Sequence, residues 1–141
     1  MKYACLVYHE RAKLESVPDD DLAKLVGACG AWVADLEKRG QHVFSSGLQS
    51  TRTSATVRTA GGELSVTDGP FAETKEFLGG LTILEARDLN EAIHLASKFP
   101  AARIGTVEVR PLFDPSAEMT DSLDRKIADA IRRSSKETIA H

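Results

Sequence analysis

Apolar positions along the chain follow two different periods. Residues 2–8, KYACLVY, form a nearly unbroken run rich in β-formers, which predicts a buried first strand ending before His9, Glu10 and Arg11. After Val17-Pro18 the period lengthens. Leu22, Leu25, Val26, Cys29, Val33 and Leu36 recur at helical spacing, with Trp32 one position off the stripe. Asp19, Asp20 and Asp21 place negative charge at the start of this helix, Lys38 and Arg39 place positive charge at its end, and Gly40 stops it.

Beyond Gly40 the pattern shortens again. Residues 42–48, HVFSSGL, predict a second strand, and residues 55–59 a third. Gly61-Gly62 supplies the positive φ angles of a tight hairpin that returns to the sheet through residues 63–67. Residues 81–85 read as a further strand. Asp88 and Glu91 have capping-box spacing ahead of Ala92, Ile93, Ala96 and Phe99, and Pro100 closes that helix. Residues 106–110 alternate as the last strand. From Asp114-Pro115 onward, Met119, Leu123, Ile127 and Ile131 step by four, and Asp121/Arg125 and Asp129/Arg133 are opposite charges at helical spacing. This predicts an amphipathic C-terminal helix that frays from Ser134 to His141.

The order predicts an α+β, ferredoxin-like βαββαβ domain with an inserted hairpin over residues 1–113, and an added helix and tail over 114–141. Two helices on one face leave the other face of the sheet uncovered, so a homodimer packed through that face is expected. A ligand site is expected near that face or beside the hairpin.

Composition narrows the function classes. With 141 residues, 42% hydrophobic and 28% charged, the chain suits one folded domain. A net charge of −3 gives no basis for direct nucleic-acid binding. The first residues are too short an apolar run to span a membrane and lack a cleavage pattern, so a cytoplasmic location is expected. Cys5 and Cys29 are the only cysteines, and their spacing suits neither a metal nor an expected disulfide. No cofactor is expected either.

The densest polar chemistry lies in TDGPFAETKEFLGG, residues 67–80. Asp68-Gly69-Pro70 has the composition of a turn, with Phe71 expected to plug the core beneath it. Asp68 is the candidate acid or hydrogen-bonding group. His9, at the end of the first strand, is its candidate proton-transfer partner, whereas His42, His94 and His141 read as edge or solvent-facing. Arg58 and Lys75, with Arg52, could bind an anionic ligand, and Trp32 and Phe71 could line an apolar pocket. Ser45 and Ser46 have no elbow glycine pattern and no identifiable base.

The run DGPFAETKEFLGG, with Ser46-Gly47-Leu48, Leu89-Asn90-Glu91-Ala92 and Val107-Glu108-Val109-Arg110-Pro111, resembles the YCII-related family in its DGPF-domain branch, over about residues 1–112. The resemblance implies a ferredoxin-like fold assembled as a dimeric α+β barrel. It also implies a proposed His/Asp pair with the histidine on the first helix. Counting back from Gly40 without gaps puts Cys29 at that position, so the chain lacks the histidine, and Asp68 is the matching acidic member. Members of this branch are often encoded beside extracytoplasmic-function sigma factors. The resemblance therefore also admits a regulatory or interaction protein as the alternative to a small-molecule binder or enzyme.

Overall fold

The computed structural model describes residues 1–139, so His141 lies outside the described residues. Internal contacts divide the chain into two compact units after Pro111.

In the first unit β1 (Lys2–Glu10) is followed by a short helix, α1 (Arg11–Glu15), which the apolar pattern does not announce. Then come α2 (Asp19–Lys38), β2 (His42–Gly47), β3 (Ala55–Ala60), β4 (Glu63–Asp68), β5 (Glu76–Glu85), α3 (Leu89–Ser97) and β6 (Thr106–Pro111). The four-stranded sheet runs β2-β5-β1-β6 with every neighbouring pair antiparallel, which is the ferredoxin-like order expected. Strand β5 begins at Glu76, earlier than the apolar run suggests, because Glu76, Phe77 and Leu78 pair with the far end of β1.

The hairpin is tight as expected, with Gly61 and Gly62 at φ +58° and +82°. It does not return to the main sheet. Strand β5 already has β2 on one side and β1 on the other, so β3 and β4 pair only with each other and stand as a separate ribbon.

Helices α2 and α3 supply one side of the core. Tyr3 and Cys5 from β1, Trp32 and Leu36 from α2, Leu84 from β5 and Leu95 from α3 are buried together. The buried stripe of α2 is therefore rotated from the expected one: Trp32 enters the core and Val26 is exposed. At the ends of the helices, Gly40 takes φ +68° after α2, and the Asp88 carboxylate accepts from the Glu91 N–H before α3 at 2.8 Å.

The second unit holds α4 (Ser122–Ile139), which starts later than the sequence suggests. Asp114 accepts from the Ser116 backbone and hydroxyl, making a turn instead of a helical start. Asp121 spends its carboxylate capping the Leu123 N–H, so it does not pair with Arg125, which donates to the carbonyls of Met119 and Thr120. Asp129 pairs with Arg132 instead of Arg133, at 2.6 Å. Helix continues through Ser134–Ile139 where fraying is expected.

Candidate functional site

Strand alternation sends Cys5, Val7 and His9 of β1 to the helix side of the sheet. The first two meet core. His9 lies past it, where two glycines let the imidazole rest on bare backbone. A Cβ on Gly105 would come within 2.4 Å of the Tyr8 carbonyl and 2.8 Å of His9 Nδ1, and a Cβ on Gly79 within 2.7 Å of His9 Cδ2. Phe77 lies beside the ring, with centroids 6.3 Å apart. Nδ1 is buried without a hydrogen-bond partner among the described residues, and burial holds the imidazole below its ordinary pKa. A neutral imidazole with an unpartnered nitrogen is a group prepared to bind or exchange a proton.

That ring lines a cavity of about 450 Å³ between the sheet and the N-terminal half of α2. Leu22, Leu25, Val26 and Cys29 form its helical wall, while Ser45, Gly80 and Thr82 contribute to the sheet wall. The volume suits a small ligand and the wall is mostly apolar with few polar groups, as ligand sites tend to be. Cys29 faces it as a neutral thiol: burial raises its pKa, with the Ala101 backbone bond and the charge of Arg103 acting in the opposite direction.

Two irregularities shape the sheet wall. The register between β1 and β5 shifts after Val7↔Gly80 to Tyr8↔Leu78, leaving Gly79 as the extra residue beside His9. Between β2 and β5 it shifts from His42↔Leu84 to Phe44↔Ile83, leaving Val43 as the extra residue. Regular alternation would put His42 and Ser45 on opposite faces. The bulge puts Ser45 opposite Thr82 and on the same face as His42, and the three side chains bond in a row. His42 Nε2 is 2.9 Å from Ser45 Oγ, and Ser45 Oγ is 2.9 Å from Thr82 Oγ1. Ser45 thus has an imidazole within hydrogen-bond reach, contrary to the sequence expectation, and His42 is half-buried and bonded.

The DGPF corner is built differently. Asp68 ends β4 opposite Ala55 and is exposed, and Gly69 turns the chain at φ +95° while its N–H donates to the Ser54 carbonyl at 2.7 Å. Phe71 does not plug the core: it is 77% exposed, following a ribbon whose strands pair only with each other and not with the main sheet. Arg58 Nη2 donates to the Phe71 carbonyl at 3.3 Å, which holds the loop. Lys75 lines a smaller cavity of about 230 Å³ with Arg11, Arg52 and Glu73, and its Nζ is 3.9 Å from Glu10 Oε1. Trp32 lines neither cavity. It stacks on Phe99 with centroids 4.1 Å apart and donates its indole N–H to the Leu95 carbonyl, so both its face and its polar handle are used in the core. His9 lines the larger cavity and Asp68 does not.

The family model for the YCII-related domain matches residues 1–116. The chain belongs to the YCII-related family. A relative in Rhizobium meliloti (strain 1021), described as an uncharacterized protein, is 32% identical over 114 residues, covering 79% of this chain and 92% of the relative. In this YCII-related chain no group of three or more His, Cys, Asp or Glu among the described residues could hold a metal. No described helix is long and apolar enough to cross a membrane.

Proposed function

We propose that this YCII-related protein is a small-molecule binder whose ligand occupies the cavity between α2 and the sheet, with His9 exchanging a proton with it. The supporting observations are that His9 lines the cavity wall and that its buried Nδ1 has no hydrogen-bond partner among the described residues. An imidazole held there by two glycines costs solvation that a ligand hydrogen bond would return. Asp68, exposed and away from this cavity, serves the turn in this reading.

A thermal-shift screen with small apolar acids, amides and esters tests it. A ligand at about 100 times its dissociation constant adds roughly 2.7 kcal/mol, a shift of several degrees. The expected result is a ligand whose effect disappears in His9→Gln and persists in Asp68→Asn. The reverse pattern would return the site to the DGPF corner.

The same reading takes the protein as a homodimer formed through the sheet face opposite the helices. Ala4, Leu6, Phe44, Leu81 and Ile83 share that face through their cross-strand pairing, and an apolar patch of this kind is uncommon on a monomer. Sedimentation should give a dimer for the wild type and a monomer for Leu6→Lys/Ile83→Lys.

One observation favours a second reading, an interaction protein of the kind associated with a sigma factor. Leu123, Ile127 and Ile131 form an exposed apolar stripe along α4. Truncation after Phe113 should then abolish partner capture while leaving small-molecule binding intact.

A further inference from the structure

We propose that Ser45 is a His42-activated nucleophile that accepts the acyl group of a small apolar ester or thioester in the α2 cavity. The proposal rests on that cavity being the ligand site and names the chemistry performed there.

Hydrogen-bond directions carry the argument. Thr82 is only 2% exposed, and its hydroxyl has one side-chain partner among the described residues, Ser45 Oγ at 2.9 Å. A buried hydroxyl that does not donate leaves its proton unsatisfied, so Thr82 donates to Ser45. Ser45 has a single proton, and the remaining acceptor is His42 Nε2 at 2.9 Å. That nitrogen must then be unprotonated, and the ring carries its proton on Nδ1. Nδ1 faces Glu37, whose Oε1 is 3.8 Å away. The arrangement runs carboxylate, imidazole, hydroxyl, with the serine proton aimed at the base.

The surroundings favour the same chemistry. Ser45 and Thr82 line the cavity, so the hydroxyl meets whatever enters it. The imidazole side chain is 16% exposed, whereas Glu37 is 60% exposed, so a proton taken by His42 has a route to solvent. In the acylation step Ser45 Oγ bonds to the carbonyl carbon, its proton passes to His42 Nε2, and the bond to the leaving alcohol or thiol breaks as that group takes the proton from His42. Thr82, donating to Ser45 Oγ, fixes the direction of the serine proton toward His42. Water then attacks the acyl-serine through the same base, releasing the carboxylic acid and restoring Ser45.

An alkyl fluorophosphonate reports the nucleophile directly: Oγ bonds to phosphorus, fluoride leaves, and the proton departs through His42. The expected result is one adduct, mapped by mass spectrometry to Ser45, absent in Ser45→Ala and formed at least about 100-fold more slowly in His42→Gln. Glu37→Gln should slow it only about threefold, since that carboxylate is largely solvated. Thr82→Val keeps the side-chain shape and releases the serine proton from its fixed direction, so labelling should fall several-fold in a protein that still melts cooperatively. No adduct, or an adduct that forms equally fast in His42→Gln, overturns the proposal. Thermal shift with the unreactive phosphonate diester separates the two ideas: binding without labelling removes the nucleophile and keeps the cavity as a ligand site, and absence of both removes both.

Discussion

Around His9 the backbone is stripped of side chains so that an imidazole can lie against it, whereas around Phe71 an aromatic ring is left in solvent. The first region belongs to the helix-covered face of the main sheet, and the second to a ribbon that pairs only with itself. Yet it is the second that carries the conspicuous sequence motif. A motif dense in turn formers and charge identifies a corner that the chain must make; it does not identify where a cavity lies. The cavity depends on small residues and bulges whose effect appears only when distant strands are paired.

The sharpest way to break this comparison is to remove one aromatic from each region. Trp32 is 8% exposed, stacked and hydrogen-bonded, so Trp32→Ala should cost about 4 kcal/mol in denaturant unfolding. Phe71→Ala should cost no more than about 0.5 kcal/mol, the range for exposed positions. If Phe71→Ala instead costs several kcal/mol, something covers that ring in solution. A cost that falls as the protein is diluted would identify the cover as a second copy of the chain.

Glycine substitutions sharpen the contrast at a smaller scale. A methyl group on Gly105 meets the Tyr8 carbonyl at 2.4 Å, and a backbone atom cannot move aside as a side chain can. Gly105→Ala should therefore lose about 3 kcal/mol, lowering the melting temperature by on the order of 10 °C. Gly69 has open space around it and is constrained only by its φ of +95°, so Gly69→Ala should cost about 1 kcal/mol. Equal losses at the two sites would mean that the cradle around His9 yields as readily as a turn.

Much of the fold was legible because each element carries its own periodicity and stop signals. The Gly40 stop after α2, the Asp88 cap and the tight Gly61-Gly62 turn are local, and all three stand as read. Local signals did not say where the hairpin would go, since that depends on β5 already having two neighbours. His9 was legible as the end of a buried strand. The His42–Ser45 pair was not, because strand alternation assigns residues three apart to opposite faces, and only the extra residue at Val43 reverses this. Nothing in Val43 itself announces a bulge. Trp32 was misplaced by a single position on the helix wheel, enough to make a core residue resemble a pocket wall.

The smallest expected effect tests whether the His9 cradle excludes water. Burial depresses the folded-state pKa of this imidazole below its ordinary 6.5, so the unfolded chain takes up a proton first as pH falls. Through that window the unfolded state binds more protons than the folded one, and stability must rise with pH and fall with acid. Melting temperatures between about pH 7.5 and about pH 5 should therefore drop more for the wild type than for His9→Gln, because the glutamine removes this one titration and leaves the others in place. The difference is modest since the ring is only partly withdrawn from solvent, and it should vanish above the unfolded-state pKa. Parallel curves would mean that water reaches Nδ1, and the ring would then carry no desolvation cost for a ligand to relieve.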